Sequence, residues 1–223
     1  MKNIIIFGTK ENASLANFYF STDPKYCNEY TIIGFTVHRK FLNETIFENK
    51  PVYPFEDLVS MFPPTDVYLF APLSGKCMNK IRETIYLEGK TMGYTFVSYL
   101  SSYATILTKH IGENCFILEN NTIQPFVQIG NNCIFWSGNH IGHHSIIHEH
   151  CFFTSHVVLS GQCEVFPYSW FGVNATIKNA IQIAEGTLVG MGAGITKSTK
   201  PYELYVGFPA HSQGSCLKVS ESL

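Results

Sequence analysis

Charge is scarce in this sequence, and neither sign dominates. Fifteen Lys and Arg stand against 17 Asp and Glu, a formal charge of −2, with only 14% of residues charged. No basic stripe gathers anywhere, so the electrostatic footprint of a nucleic-acid or anionic-lipid binder is missing. Long apolar runs are missing too: no segment approaches the roughly 18 apolar residues of a spanning helix. The opening MKNIIIFG has an apolar stretch too short for a signal peptide and lacks a small-residue cleavage site. The expectation is a cytoplasmic protein with no nucleic-acid partner and no membrane insertion. The seven cysteines, at 27, 77, 115, 133, 151, 163 and 216, are odd in number and show no CxxC spacing. That argues against both a disulfide framework and a zinc finger.

The 223 residues suffice for two domains, and the chain changes texture near residue 100. Up to that point short apolar runs alternate with helix-like segments. Ile4–Gly8, Thr31–Val37 and Val67–Ala71 read as strands, and Glu11–Ser21, Phe55–Phe62 and Met78–Thr91 as helices, a pattern that predicts a small βαβ sheet. Residues 101–210 follow a different rule, and 211–223 read as a C-terminal tail.

Stepping by six from Ile111 meets Ile117, Ile123, Ile129, Phe135, Ile141, Ile147, Phe153, Leu159, Val165, Phe171, Ile177, Ile183, Val189 and Ile195, all large and apolar. Four places after each, the residue is mostly small or thin (Cys115, Val127, Cys133, Ser145, Cys151, Ala175). Such a repeat predicts a stacked architecture: three six-residue faces per coil, 18 residues per turn, about five coils. Cys115, Cys133 and Cys151 are 18 apart and should stack inside as fillers. Glycine often follows the large apolar residue (112, 130, 142, 172, 190), as expected at a corner needing permissive φ. His148, Thr154, Ser160 and Phe166 stand where that glycine is common, which predicts local bulges or an altered surface.

Six of the nine histidines fall between 140 and 156. His144, His150 and His156 share one hexad position on three successive faces, so they point apart, and a metal site is possible only between subunits. His143 differs, because Gly161 lies 18 residues on, one coil above it. An imidazole can take a proton from an attacking amine or hydroxyl, while a glycine N–H steadies the oxyanion of a tetrahedral intermediate.

The stretches Ile117-Leu118-Glu119 with Ile123-Gln124-Pro125, Asn139-His140-Ile141-Gly142-His143-His144-Ser145, Ser155-His156-Val157-Val158-Leu159-Ser160-Gly161, Phe171-Gly172-Val173-Asn174-Ala175-Thr176-Ile177 and Val206-Gly207-Phe208-Pro209-Ala210 make the chain resemble the sugar acetyltransferases of the PglD/NeuD group. The resemblance implies an α/β Rossmann-like domain (1–100) binding a nucleotide sugar, followed by a left-handed parallel β-helix binding acetyl-CoA, in a homotrimer. It places His143 on the catalytic base and Gly161 on the oxyanion glycine. His144 falls where an acidic residue often orients the base. For acetyl-CoA it implies Phe152, Gly161, Gly190, Met191, Phe208 and Pro209, with Lys197 and Lys200 as candidates for the phosphates. For the nucleotide sugar the candidates are Gly8, Thr9, Lys10, Glu11, Thr36, His38 and Trp136. The loop after the first strand departs from the family in carrying one glycine. The aromatics Trp136, Phe152 and Trp170 point outward and need a surface to bury them, as a subunit interface would supply.

These readings lead to an N-acetyltransferase acting on a UDP- or dTDP-linked amino sugar, without metal. O-acetylation, a trimeric metal-dependent lyase of the γ-carbonic-anhydrase sort and a non-catalytic β-helix stand as alternatives.

Overall fold

A computed structural model describes residues 1–222. Its first half contains β1 (Lys2–Phe7), α1 (Glu11–Thr22), β2 (Tyr30–Val37), β3 (Ile46–Phe47), β4 (Lys50–Pro54), α2 (Leu58–Met61), β5 (Val67–Phe70) and α3 (Lys80–Thr91). The sheet order is β3-β4-β2-β1-β5, with β1 parallel to both β2 and β5. Ile4, Ile5 and Ile6 are wholly buried, as strands covered on both faces must be. Strand order reverses about β1, so the C-terminal ends of β1 and β5 border the crevice where open parallel sheets take their ligands.

The expected strands and helices form, with informative differences at their ends. The helix expected from Met78 starts at Lys80, because Cys77, Met78 and Asn79 hold left-handed φ of 52°, 49° and 64° that a right-handed helix cannot include. The helix expected over Phe55–Phe62 is a 3₁₀ turn at Phe55–Asp57 running into the short α2. The sequence reading missed the antiparallel pair β3–β4, closed by Glu48 and Asn49 at φ 48° and 59°, the signature of a two-residue hairpin turn.

From residue 99 the chain winds into a triangular parallel β-helix. Two-residue strands fall on three faces: a first through Phe116, Ile134, Phe152, Trp170 and Leu188, a second through Thr122, His140, Val158 and Thr176, and a third through Gln128, Ile146, Glu164 and Gln182. Each residue pairs with the one 18 further on. The large hexad residues point inward, and the rings of Phe135, Phe153 and Phe171 stack at 4.6 and 4.3 Å. Cys115, Cys133 and Cys151 fill the interior, where burial pushes the thiols of Cys115 and Cys133 well above their usual pKa.

One expectation about the corners is overturned and another is narrowed. Left-handed φ recurs every six residues, but at Asn114, Asn120, Phe126, Asn132, Gly138, His144, His150 and onward, two places after the repeated glycines. Asn and His are among the residues that tolerate this region best, which explains why His144, His150 and His156 share a hexad position. The repeated glycines answer to crowding between coils: a Cβ on Gly130 would lie 2.8 Å from Glu149 N. Nor are there bulges at His148, Thr154, Ser160 or Phe166, since pairing runs through those coils without a register shift.

The first domain covers the first face of the β-helix. Phe20, Tyr26 and Phe70 share one core with Phe116, Leu118, Ile134 and Phe152, and Trp136 and Trp170 pack against it. Of the outward aromatics, Phe152 is buried and Trp136 and Trp170 are half-buried by the chain's own first domain. Asp23 pins the junction, accepting bonds from Tyr99 Oη (2.8 Å), Ser102 N (2.9 Å) and Lys25 N (2.9 Å). Burial alone would raise its pKa, but those donors lower it overall. Asp23→Ala strands the buried Tyr99 hydroxyl and removes the acceptor of two part-buried backbone N–H groups, and should cost about 2 kcal/mol, read as a lower denaturant midpoint; an unchanged midpoint would contradict this anchor.

The segment expected as a tail is built into the fold. His211–Ser215 pairs antiparallel with Glu203–Val206, and buried Cys216 packs with Met78 and Leu188. Ser220 O accepts from Cys77 N at 2.9 Å. Among the described residues, no helix is long and apolar enough to cross a membrane.

Candidate active site

His143 lies at the edge between the second and third faces, just past the strand His140–Ile141. Its backbone is held from both sides: Gln124 Oε1 in the coil below accepts its N–H at 2.9 Å, and Gln162 N in the coil above donates to its carbonyl at 2.8 Å. Nδ1 is 3.0 Å from Nδ1 of His144, so one of these two nitrogens carries the shared proton. His144 is in turn packed beside Phe126, ring centroids 4.6 Å apart. The other side of the His143 ring rests on Gly161, where an added Cβ would come within 2.9 Å of both Cε1 and Nε2. The N–H of Gly161 has no hydrogen-bond acceptor among the described residues. Gly142 leaves the space beneath that N–H open, since a side chain there would collide with Gly161 N.

The same edge continues upward through Asn179 to Lys197, by the pairings Thr176↔Gly194 and Ile177↔Ile195. Three coils at roughly 4.8 Å put Lys197 about 14 Å from His143 along the edge. There a cavity of about 260 Å³ is lined by Lys197, Ser198, Pro209, Ala210 and His211 among others. Phe208 and Met191 are among the most exposed apolar side chains, at 77% and 78%, and Phe208 covers Gly194.

Three of the residues implied for ligand contact are placed elsewhere. Phe152 is buried on the first face, opposite the His143 edge, beneath the first domain. Gly190 lies beside Val206, whose Cγ1 would be 2.9 Å from an added Cβ, and is half-buried against the chain's own C-terminal strand. Thr36 is fully buried and donates its hydroxyl to Tyr53 O at 2.9 Å. Gly8, Thr9, Lys10 and Glu11 lie together at the crevice, between β1 and the start of α1. His38 stands at the end of β2 with Nε2 2.7 Å from Glu88, between Phe7 and Phe55. Trp136 is half-buried on the interdomain core. Sequence reasoning gave Gln124 no contact and missed Glu88 and the contact of Trp170 with Gly75, because each partner is distant in sequence.

His144, His150 and His156 occupy three different corners, as their hexad position requires. Among the described residues, no group of three His, Cys, Asp or Glu is arranged to hold a metal ion. His150 is a structural residue: Nδ1 is bonded to Asn132 (2.8 Å) and its ring stacks on Tyr168 at 5.3 Å. Burial brings its pKa down from 6.5 to about 4, against the opposing pull of Glu83. The unfolded chain therefore binds a proton here that the folded one refuses. The stability involved is intact above about pH 6.5 and lost as pH falls toward 4, on the order of 3 kcal/mol. His150→Asn keeps a residue suited to the left-handed corner and should flatten this part of the stability–pH curve; curves parallel to wild type would contradict the assignment.

Residues 108–142 match a family model described as bacterial transferase hexapeptide (six repeats). No curated protein sequence matches. Among solved structures, perosamine N-acetyltransferase from Caulobacter crescentus, in complex with CoA and GDP-perosamine, superposes with a TM-score of 0.82 at 18% identity, over 96% of this chain and 98% of that one. WeeI from Acinetobacter baumannii AYE gives 0.81 at 20% identity, over 95% and 100%. The acetyltransferase domain of PglB from Neisseria gonorrhoeae FA1090, in complex with acetyl coenzyme A, gives 0.81 at 14% identity, over 95% and 98%. Over nearly its whole length, then, the chain has the fold of these acetyltransferases, with hexapeptide repeats in its second half.

Proposed function

We propose that the chain is an acetyl-CoA-dependent N-acetyltransferase acting on a nucleotide-linked amino sugar, with His143 as general base. The observation that carries this reading is His143 Nε2 lying against Gly161, whose N–H has no acceptor among the described residues. If His143 donates its Nδ1–H to His144, Nε2 is left unprotonated and faces the reaction. It takes the proton of the sugar amine as the amine nitrogen attacks the thioester carbonyl. Gly161 N–H receives the oxyanion. Collapse of the tetrahedral intermediate breaks the C–S bond, and the proton held on His143 passes to the departing thiolate, giving the amide and CoA. His144 acts as a positioning residue for His143.

Acetyl-CoA is assigned to the edge from His143 to Lys197, where an extended pantetheine arm spans the three coils and Lys197 meets phosphate. Pro209 lines the cavity at that end, and Phe208 and Met191 offer exposed apolar cover. The acceptor's diphosphate is assigned to the loop Gly8–Glu11, with free amides at the start of α1 and Lys10 as countercharge. Gly8, at φ 116°, is the position there that only glycine fits easily. His38, held by Glu88, and Trp136 border the sugar nucleotide. Phe126, Ile146 and Val158 are exposed around the His143 edge, which supports packing of that edge against a second copy in a cytoplasmic homotrimer of left-handed helices.

An amine acceptor is preferred over a hydroxyl because the similar Caulobacter structure is an N-acetyltransferase holding GDP-perosamine. The test is thiol release from acetyl-CoA against UDP-, dTDP- and GDP-linked amino sugars and their hydroxy counterparts. Release with an amino sugar supports the reading. Release only with hydroxy sugars moves it to O-acetylation, and none with either removes it.

A further inference from the structure

Arg82, near the start of α3, is wholly buried where the two domains meet. Nη1 donates to Leu73 O at 3.3 Å, and Nη2 to Asn79 Oδ1 at 3.1 Å and to Cys151 O of the β-helix at 3.3 Å. The guanidinium lies 5.5 Å from the Phe152 ring centroid, and Nε has no partner among the described residues. None of the three acceptors is a carboxylate. Glu83, its neighbour in sequence, is turned to Tyr168 Oη (2.7 Å) and Lys80 (3.2 Å). Burial lowers the Arg82 pKa to about 10, which leaves it charged at neutral pH.

Burying a cation without an anion is costly, and its field is poorly screened in a low-dielectric interior. What the side chain holds says where that field is used. Leu73 belongs to the loop after β5 and lies beside Gly8, since a Cβ on Gly8 would be 3.7 Å from Leu73 Cδ2. Farther along the same loop, Gly75 is pressed against the Trp170 indole, 2.7 Å from an added Cβ. The loop thus forms a wall beside the β1 turn, and Arg82 fastens it to the β-helix from behind.

We infer that Arg82 is a positioning residue for the acceptor: it holds the Leu73–Gly75 wall and supplies the fixed countercharge behind the site of the nucleoside diphosphate. This rests on the acceptor reading above, and the test separates the two. Full-length wild type is titrated calorimetrically with UDP, dTDP and GDP, and the tightest of these is then titrated into Arg82→Met and Arg82→Lys. The neutral variant should bind it at least about tenfold more weakly, while Arg82→Lys, which keeps a cation but not the planar fork that holds Leu73 and Cys151, should fall between the neutral variant and wild type. CoA affinity should be unchanged in both, a result that general loosening of the fold would not give. If Arg82→Met does not fold, Arg82→Gln is read the same way, because it keeps hydrogen bonding but not the charge. A folded neutral variant with wild-type affinity, or one weakened equally toward CoA, overturns the role. Wild type that binds none of the three nucleotides removes the acceptor reading, and this role with it.

Discussion

His143→Ala or His143→Asn is expected to lower kcat by about 10²-fold or more, the usual scale for removing a general base. The fold should survive, because His143 is exposed and its structural bonds to Gln124 and Gln162 are made by its backbone. The thiol-release assay measures the effect, with circular dichroism confirming the fold. The loss should fall on kcat, not on the KM for acetyl-CoA, since the imidazole is assigned to proton transfer and not to cofactor binding. Near-full activity in either variant would take His143 out of the chemistry.

Gly161→Ala is the second large effect, and a more discriminating one. The backbone at 161 has no left-handed φ, so alanine is not strained there. The added methyl instead meets the His143 ring, at 2.9 Å from Cε1 and Nε2, and the imidazole must give way. Displacing a catalytic group by about 1 Å can cost 10²-fold, and a loss of that order in kcat is expected with little change in thermal midpoint. A large fall in stability with normal specific activity would mean that Gly161 serves the fold and not the reaction.

The β-helix was legible in the sequence because its code is strictly periodic. Every sixth residue points inward, so Ile117, Phe135 and Phe153 announce themselves without knowledge of the rest. The pairing of His143 with Gly161 follows from the same register, since 18 residues separate neighbours on one line. The chemistry of the corners was less legible. Glycine after each large residue suggests a φ requirement, yet the left-handed residue comes two places later, and the glycines relieve contact with the coil above. Outward Phe152 and Trp170 show that something must cover them, but not whether it is another subunit or the chain's own first domain. The surroundings of Thr36 and Gly190 are set by partners distant in sequence, Tyr53 and Val206. Arg82 is the extreme case: in sequence it is one more basic residue on an amphipathic helix, and only the packing of two domains removes it from water.

A crystal structure with CoA bound tests the central claim most directly. The thiol should lie within reach of both His143 Nε2 and Gly161 N, with the phosphates near Lys197 at the far end of the same edge. CoA bound on another face, with its sulfur away from that histidine and glycine, would contradict the account.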